Sequence, residues 1–174
     1  VTATLSGTQA VDFTEGTATM TADSVTITRN GDGATTIDAV DATTTFTATN
    51  NSSGTLTITT ADAEGDTVVT TTAGALDVTT TSTDNVTLTG GALADQLIAS
   101  GTTESGKTHT LDGAGGADTI TGGGGNDVLI GGAGNDTITA GAGVDNIDGG
   151  AGNDTITMAT NLVSTDTIEG GAGT

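Results

Sequence analysis

Cysteine, tryptophan and tyrosine are absent from the 174 residues, and phenylalanine occurs only twice. Without cysteine, stability outside the cell must come from something other than disulfides. Without aromatic bulk a thick core is excluded, which leaves a thin one of Val, Ile, Leu and Thr. Basic residues are almost as scarce. Arg29, Lys107 and the single histidine, His109, stand against 22 acids, for a formal net charge of −20. Phosphate binding needs clustered Lys and Arg, so a nucleic-acid surface is excluded, and docking onto anionic lipid is opposed by the same charge. No apolar run approaches the ~20 residues of a membrane span, and no signal peptide is seen. The chain starts at Val1 without Met and stops at "GGAGT", partway through a repeat unit. It reads as an internal piece of a longer polypeptide, so missing targeting signals say little.

What is present is threonine, glycine and aspartate. Threonine makes up about a quarter of the chain and favours strand over helix. No window carries the i, i+3, i+4, i+7 apolar spacing of a helix. Soluble acidic disorder is the plain alternative, but the acids are evenly spaced and strand patterns lie between them. Residues 1–89 hold short alternating segments: "SVTITRN", "TTFTATN", "GTLTITT", "ALDVTT" and "NVTLTG". Their apolar markers are Ile27, Ile37, Phe46, Leu56, Val68, Val78 and Leu88, about ten residues apart. Only "RNGDG" at 29–33 reads as a tight turn. The period predicts a β-solenoid, with one strand and one corner per repeat; a Thr-rich β-sandwich is the competing architecture.

From Gly90 the texture changes, and a second domain is expected over 90–174. "GGALADQLI" (90–98) is a degenerate first unit. "ASGTTESGKTHTL" (99–111) reads as a polar insertion, an exposed loop holding Lys107 and a solvated His109. Five units then follow without a gap: "GAGGADTIT", "GGGGNDVLI", "GGAGNDTIT", "AGAGVDNID" and "GGAGNDTIT". They place Asp118, Asp127, Asp136, Asp145 and Asp154 nine residues apart, each followed two residues later by Ile120, Leu129, Ile138, Ile147 or Ile156. The glycine-rich six residues predict a tight turn, and the last three a strand with its aliphatic inward. Two units then make one 18-residue coil, stacking Asp118, Asp136 and Asp154 on one edge and Asp127 and Asp145 on the other.

Such stacking is costly. Carboxylates at the ~4.8 Å strand spacing repel by roughly 3 kcal/mol per pair at an effective dielectric of 20. Fifteen of the 40 residues from Gly113 to Gly152 are glycine, a further penalty of order 10 kcal/mol relative to alanine. A hard divalent cation offsets both. Calcium takes six to eight oxygens, and glycine turns offer unobstructed carbonyls beside one carboxylate each. Magnesium demands stricter octahedral geometry, and zinc prefers Cys and His.

These units resemble the RTX repeat, Gly-Gly-x-Gly-x-Asp-x-aliphatic-x, found in exported bacterial proteins. The match is specific from Gly113 to Thr157 and weaker at 90–98. The resemblance implies a right-handed parallel β-roll, continuing the Thr-rich solenoid, with several calcium ions between successive turns. The implied ligands are the Asp carboxylates and the turn carbonyls. Carried over, these are Gly113, Gly115, Gly116 and Asp118; Gly122, Gly123, Gly124, Gly125 and Asp127; Gly131, Gly132, Ala133, Gly134 and Asp136; Gly141, Ala142, Gly143 and Asp145; and Gly149, Gly150, Ala151, Gly152 and Asp154. Ala114 and Ala140 replace family glycines, which a carbonyl ligand tolerates if φ stays negative. Leu93 and the glycine-free 161–165 depart further, which leaves Asp95 and Asp166 outside the expected set.

Two basic residues are too few for lyase chemistry on an anionic sugar, and no cleft of raised-pKa acids is evident, so no enzymatic activity is expected. The texture resembles that of RTX-type S-layer proteins. The expected role is a calcium-binding structural segment of a secreted, self-assembling surface protein, exported by a type I route. Its expected partners are copies of itself and, through other parts of the polypeptide, cell-surface polysaccharide, with neither nucleic acid nor membrane insertion. A spacer or folding module of an RTX adhesin or exported RTX enzyme is the alternative, and an ice-binding solenoid a minor one.

Overall fold

The computed structural model describes residues 4–5, 8–13, 16–29, 35–51, 53–60, 66–71, 74–81, 85–100, 107–158 and 162–173. Among them there is no helix, and every strand pairing is parallel. A sandwich of hairpins, which would pair its strands antiparallel, is thereby ruled out. The turn expected at "RNGDG" lies largely outside the described residues.

The first strands, β1 (Thr4–Leu5) and β2 (Thr8–Phe13), pair with the long β3 (Gly16–Arg29), and β3 pairs with the long β4 (Thr35–Asn50). From β4 the sheet divides into two faces. Thr35–Val40 pairs with β5 (Leu56–Thr60), while Thr45–Asn50 pairs with β6 (Asp66–Thr71). One face continues through β7 (Leu76–Thr80), β9 (Gln96–Ala99), β11 (Thr119–Gly124), β13 (Thr137–Ala142) and β15 (Thr155–Thr157). The other continues through β8 (Val86–Thr89), β10 (His109–Asp112), β12 (Val128–Ile130), β14 (Asn146–Asp148) and β16 (Thr167–Glu169). The chain alternates between the faces, so each coil of this β-solenoid contributes one strand to each. Pairing is unbroken across residues 89 and 90, where the composition changes.

Alternation dictates what is buried. In β7, Leu76, Val78 and Thr80 point inward and Asp77 and Thr79 are partly exposed. Two aliphatic ladders result. One runs Ile37, Ile58, Val78, Leu97, Ile120, Ile138, Ile156, and the other Ala48, Val69, Leu88, Leu111, Leu129, Ile147, Ile168. Together they form one narrow core. The expected marker Val68 is one residue off, since Val69 is the fully buried rung. Ile138 pairs with Ile120, eighteen residues earlier, as the nonapeptide period predicts.

The expected insertion is narrower than 99–111. Ala99 ends β9, and His109–Asp112 is a strand whose Leu111 is fully buried. His109 is not a solvated loop residue; it is buried at 2 % exposure. Towards the last coil the core opens, from Ile147 at 0 % to Ile168 at 44 % exposure.

Candidate metal centre

Each site grows from a six-residue turn between two strands. The second and fourth positions of the turn take positive φ, as at Gly132 (100°) and Gly134 (145°), a region that L side chains rarely occupy. Ala114 departs from expectation. Its φ is 65°, not negative, and it is the one non-glycine with positive φ among the described residues. Its N–H donates to Asp112 Oδ1 at 2.9 Å, which helps to hold it there.

The aspartates stack as the spacing requires. On one edge, the Asp118 N–H donates to Asp136 Oδ1 (2.8 Å) and the Asp136 N–H to Asp154 Oδ1 (2.9 Å). On the other, the Asp127 N–H donates to Asp145 Oδ1 at 3.1 Å. Both columns extend beyond the expected set. The Asp95 N–H donates to Asp118 Oδ1 (2.7 Å) and the Asp145 N–H to Asp166 Oδ1 (3.1 Å). The columns also include His109, whose N–H donates to Asp127 Oδ1 at 3.1 Å. One signal for His109 was available in the sequence: it lies nine residues before Asp118 and two before Leu111.

One carboxylate oxygen of each pair is thus used. The other is a different matter. Oδ2 of Asp118, Asp127, Asp136 and Asp154 is buried and has no hydrogen-bond donor. What lies opposite is another acceptor. A Cβ built on Gly122 would sit 2.5 Å from both Asp127 Oδ2 and the Ala140 carbonyl oxygen of the next coil. A Cβ on Gly149 would sit 2.7 Å from Asp154 Oδ2 and 3.0 Å from the Gly170 carbonyl oxygen. Gly113 and Gly131 repeat the arrangement with Asp118 and Asp136. The first glycine of the turn therefore keeps side-chain carbon out of a space walled by oxygen. Asp95 and Asp166 differ, because their Oδ2 atoms accept from the Gly91 N–H (2.7 Å) and the Val163 N–H (2.8 Å).

Burial makes this arrangement strained in charge. It pushes the Asp118 carboxyl from 3.8 up to about 6; the bond from the Asp95 N–H opposes the rise, and the charges of Asp95, Asp136 and Asp112 add to it. Burial likewise raises Asp95, Asp136 and Asp145. Among the described residues no three acidic or histidine side chains converge. The donor set is instead one carboxylate and facing carbonyls, all hard oxygen, which fits calcium better than zinc. The residues that would hold it most directly are the four Asp side chains with an unmatched Oδ2 and the first carbonyl of the following turn. The carbonyls of the second and third positions, such as Gly132 and Ala133, already accept N–H groups of neighbouring coils (2.7 and 2.8 Å), with a second lone pair still available for a cation.

The family model for the RTX calcium-binding nonapeptide repeat matches residues 110–138 and 121–156, in four copies. Residues 110–156 are RTX repeats. No curated protein and no solved structure matches the chain. The match supports calcium binding by this segment. Bound there, calcium would supply positive charge to carboxylate oxygens that have no hydrogen-bond donor of their own.

Proposed function

We propose that this chain is a structural, non-catalytic segment of an exported bacterial surface protein of the S-layer kind, in which calcium drives both folding and self-assembly. The observation that carries the calcium dependence is the set of four buried, donorless carboxylate oxygens, each opposed by a carbonyl of the next coil. In a compartment poor in calcium their repulsion opposes coil stacking; at millimolar calcium the same oxygens join one coil to the next. RTX repeats are typical of proteins exported by type I secretion, a route suited to a chain that folds only outside.

Self-assembly is supported by charge and shape. A net charge of −20 keeps copies apart, and calcium taken into the turns lowers it. The outer faces carry threonine in register, with Thr119, Thr137 and Thr155 in one row and Thr121, Thr139 and Thr157 in another, so that flat, uncharged strips are available for packing. Copies of the chain are therefore the proposed partner, with cell-surface polysaccharide reached through other parts of the polypeptide.

The test is calcium addition to the full-length protein, followed by electron microscopy and light scattering. Two-dimensional sheets or filaments that dissolve in chelator are expected. A protein that gains β-structure with calcium yet stays monomeric is the outcome for an adhesin or enzyme spacer, and overturns the lattice reading. Unchanged circular dichroism on adding EDTA overturns the calcium reading itself.

A further inference from the structure

The carboxylate column on the Asp127 edge stops at one coil, and a histidine takes the next place. His109 pairs with the buried Val86 of the coil beyond, so the polar column ends there. Its backbone behaves as an aspartate's would at that position, donating to Asp127 Oδ1. Its ring does something the aspartates do not. Nδ1 lies 2.8 Å from the Gly122 carbonyl oxygen and 3.1 Å from Asp127 Oδ1. Both neighbours are acceptors, so Nδ1 carries the proton and donates.

Gly122 supplies the first carbonyl of its turn. In four turns the equivalent carbonyls, of Gly131, Ala140, Gly149 and Gly170, lie beside Oδ2 of Asp118, Asp127, Asp136 and Asp154, acceptor beside acceptor. At His109 the same kind of carbonyl meets an N–H. We propose that His109 closes this edge of the roll in place of a calcium ion, its imidazole donating directly to the carbonyl that elsewhere is joined to a carboxylate through the metal. The edge then takes one ion fewer than an unbroken aspartate column would, and its first step is held without calcium. This rests on the calcium reading of the roll.

The test counts calcium per chain in the wild type, His109→Asp and His109→Asn, by metal analysis after gel filtration at millimolar calcium. Aspartate restores the carboxylate, so one additional ion per chain is expected. Asparagine places an amide N–H near the position of Nδ1, so the wild-type number is expected. A second measurement uses the wild type alone. His109 is the only histidine, and its Nδ1 should keep its proton in the nitrogen NMR spectrum of the calcium-loaded protein. Equal counts in wild type and His109→Asp, or a calcium-loaded ring with a bare Nδ1, overturn the proposal. If none of the three proteins binds calcium, the calcium reading fails first and takes this inference with it.

Discussion

Ala114 sits at φ 65°, while its counterparts in the following turns, Gly123, Gly132, Gly141 and Gly150, hold φ between 89° and 109°. A side chain in the left-handed region costs roughly 1–2 kcal/mol, whereas glycine gives up about 0.5–1 kcal/mol through its looser unfolded state. Ala114→Gly is therefore expected to stabilise the calcium-loaded roll by roughly 0.5–1 kcal/mol, seen as a higher melting temperature; a lower one would contradict the strain argued here. Asp118 offers a second residue-scale test. Its folded pKa of about 6 lies above the ordinary 3.8, so the folded state keeps a proton that the unfolded chain has released. Stability of the calcium-free roll accordingly falls as pH rises from 3.8 to about 6. Calcium must displace that proton. Calorimetry in buffers of different ionisation enthalpy should show protons released on calcium binding near pH 6 and none near pH 8; no release at the lower pH would mean that these carboxylates are already ionised.

At the scale of strands and turns, the nonapeptide half was legible because one residue type recurs at one spacing. Asp-x-aliphatic every nine residues leaves a single register, and the pairing of Thr119, Ile120 and Thr121 with Thr137, Ile138 and Thr139 follows it. The Thr-rich half was legible only as a period. In "DTVVTT" two adjacent valines compete for one inward place, and the neighbouring rungs Ala48 and Leu88 select Val69. Asp95 and Asp166 were set aside because their turns lack the glycine pattern, but the backbone still carries them into the columns. These two carboxylates find N–H donors for both oxygens, and so lack the unmatched Oδ2 of Asp118, Asp127, Asp136 and Asp154. His109 was hidden by its chemistry, since a search for acids at every ninth position passes over a base.

For the molecule as a whole, the core is a column with two ends rather than a sphere. Ile120, Leu129 and Ile138 are fully buried, Ile156 only partly, and Ile168 is 44 % exposed. Strands β15 and β16 lie at the ends of the strand order. In a stack of this kind stability is close to a sum of nearest-neighbour terms, and the end rung has one neighbour. Hydrogen exchange of the calcium-loaded protein should therefore be slowest at β11 and β12 and fastest at β15 and β16. Uniform protection along the column would show that the stack opens only as a single block.

The constant rise between coils has one more consequence. Because Gly131 and Gly149 open identical turns, and Ile130 and Asp148 precede them in the same register, an eighteen-residue block is interchangeable masonry. A roll lengthened or shortened by such whole courses re-invents no interface, so variants changed in steps of two nonapeptides should keep the fold.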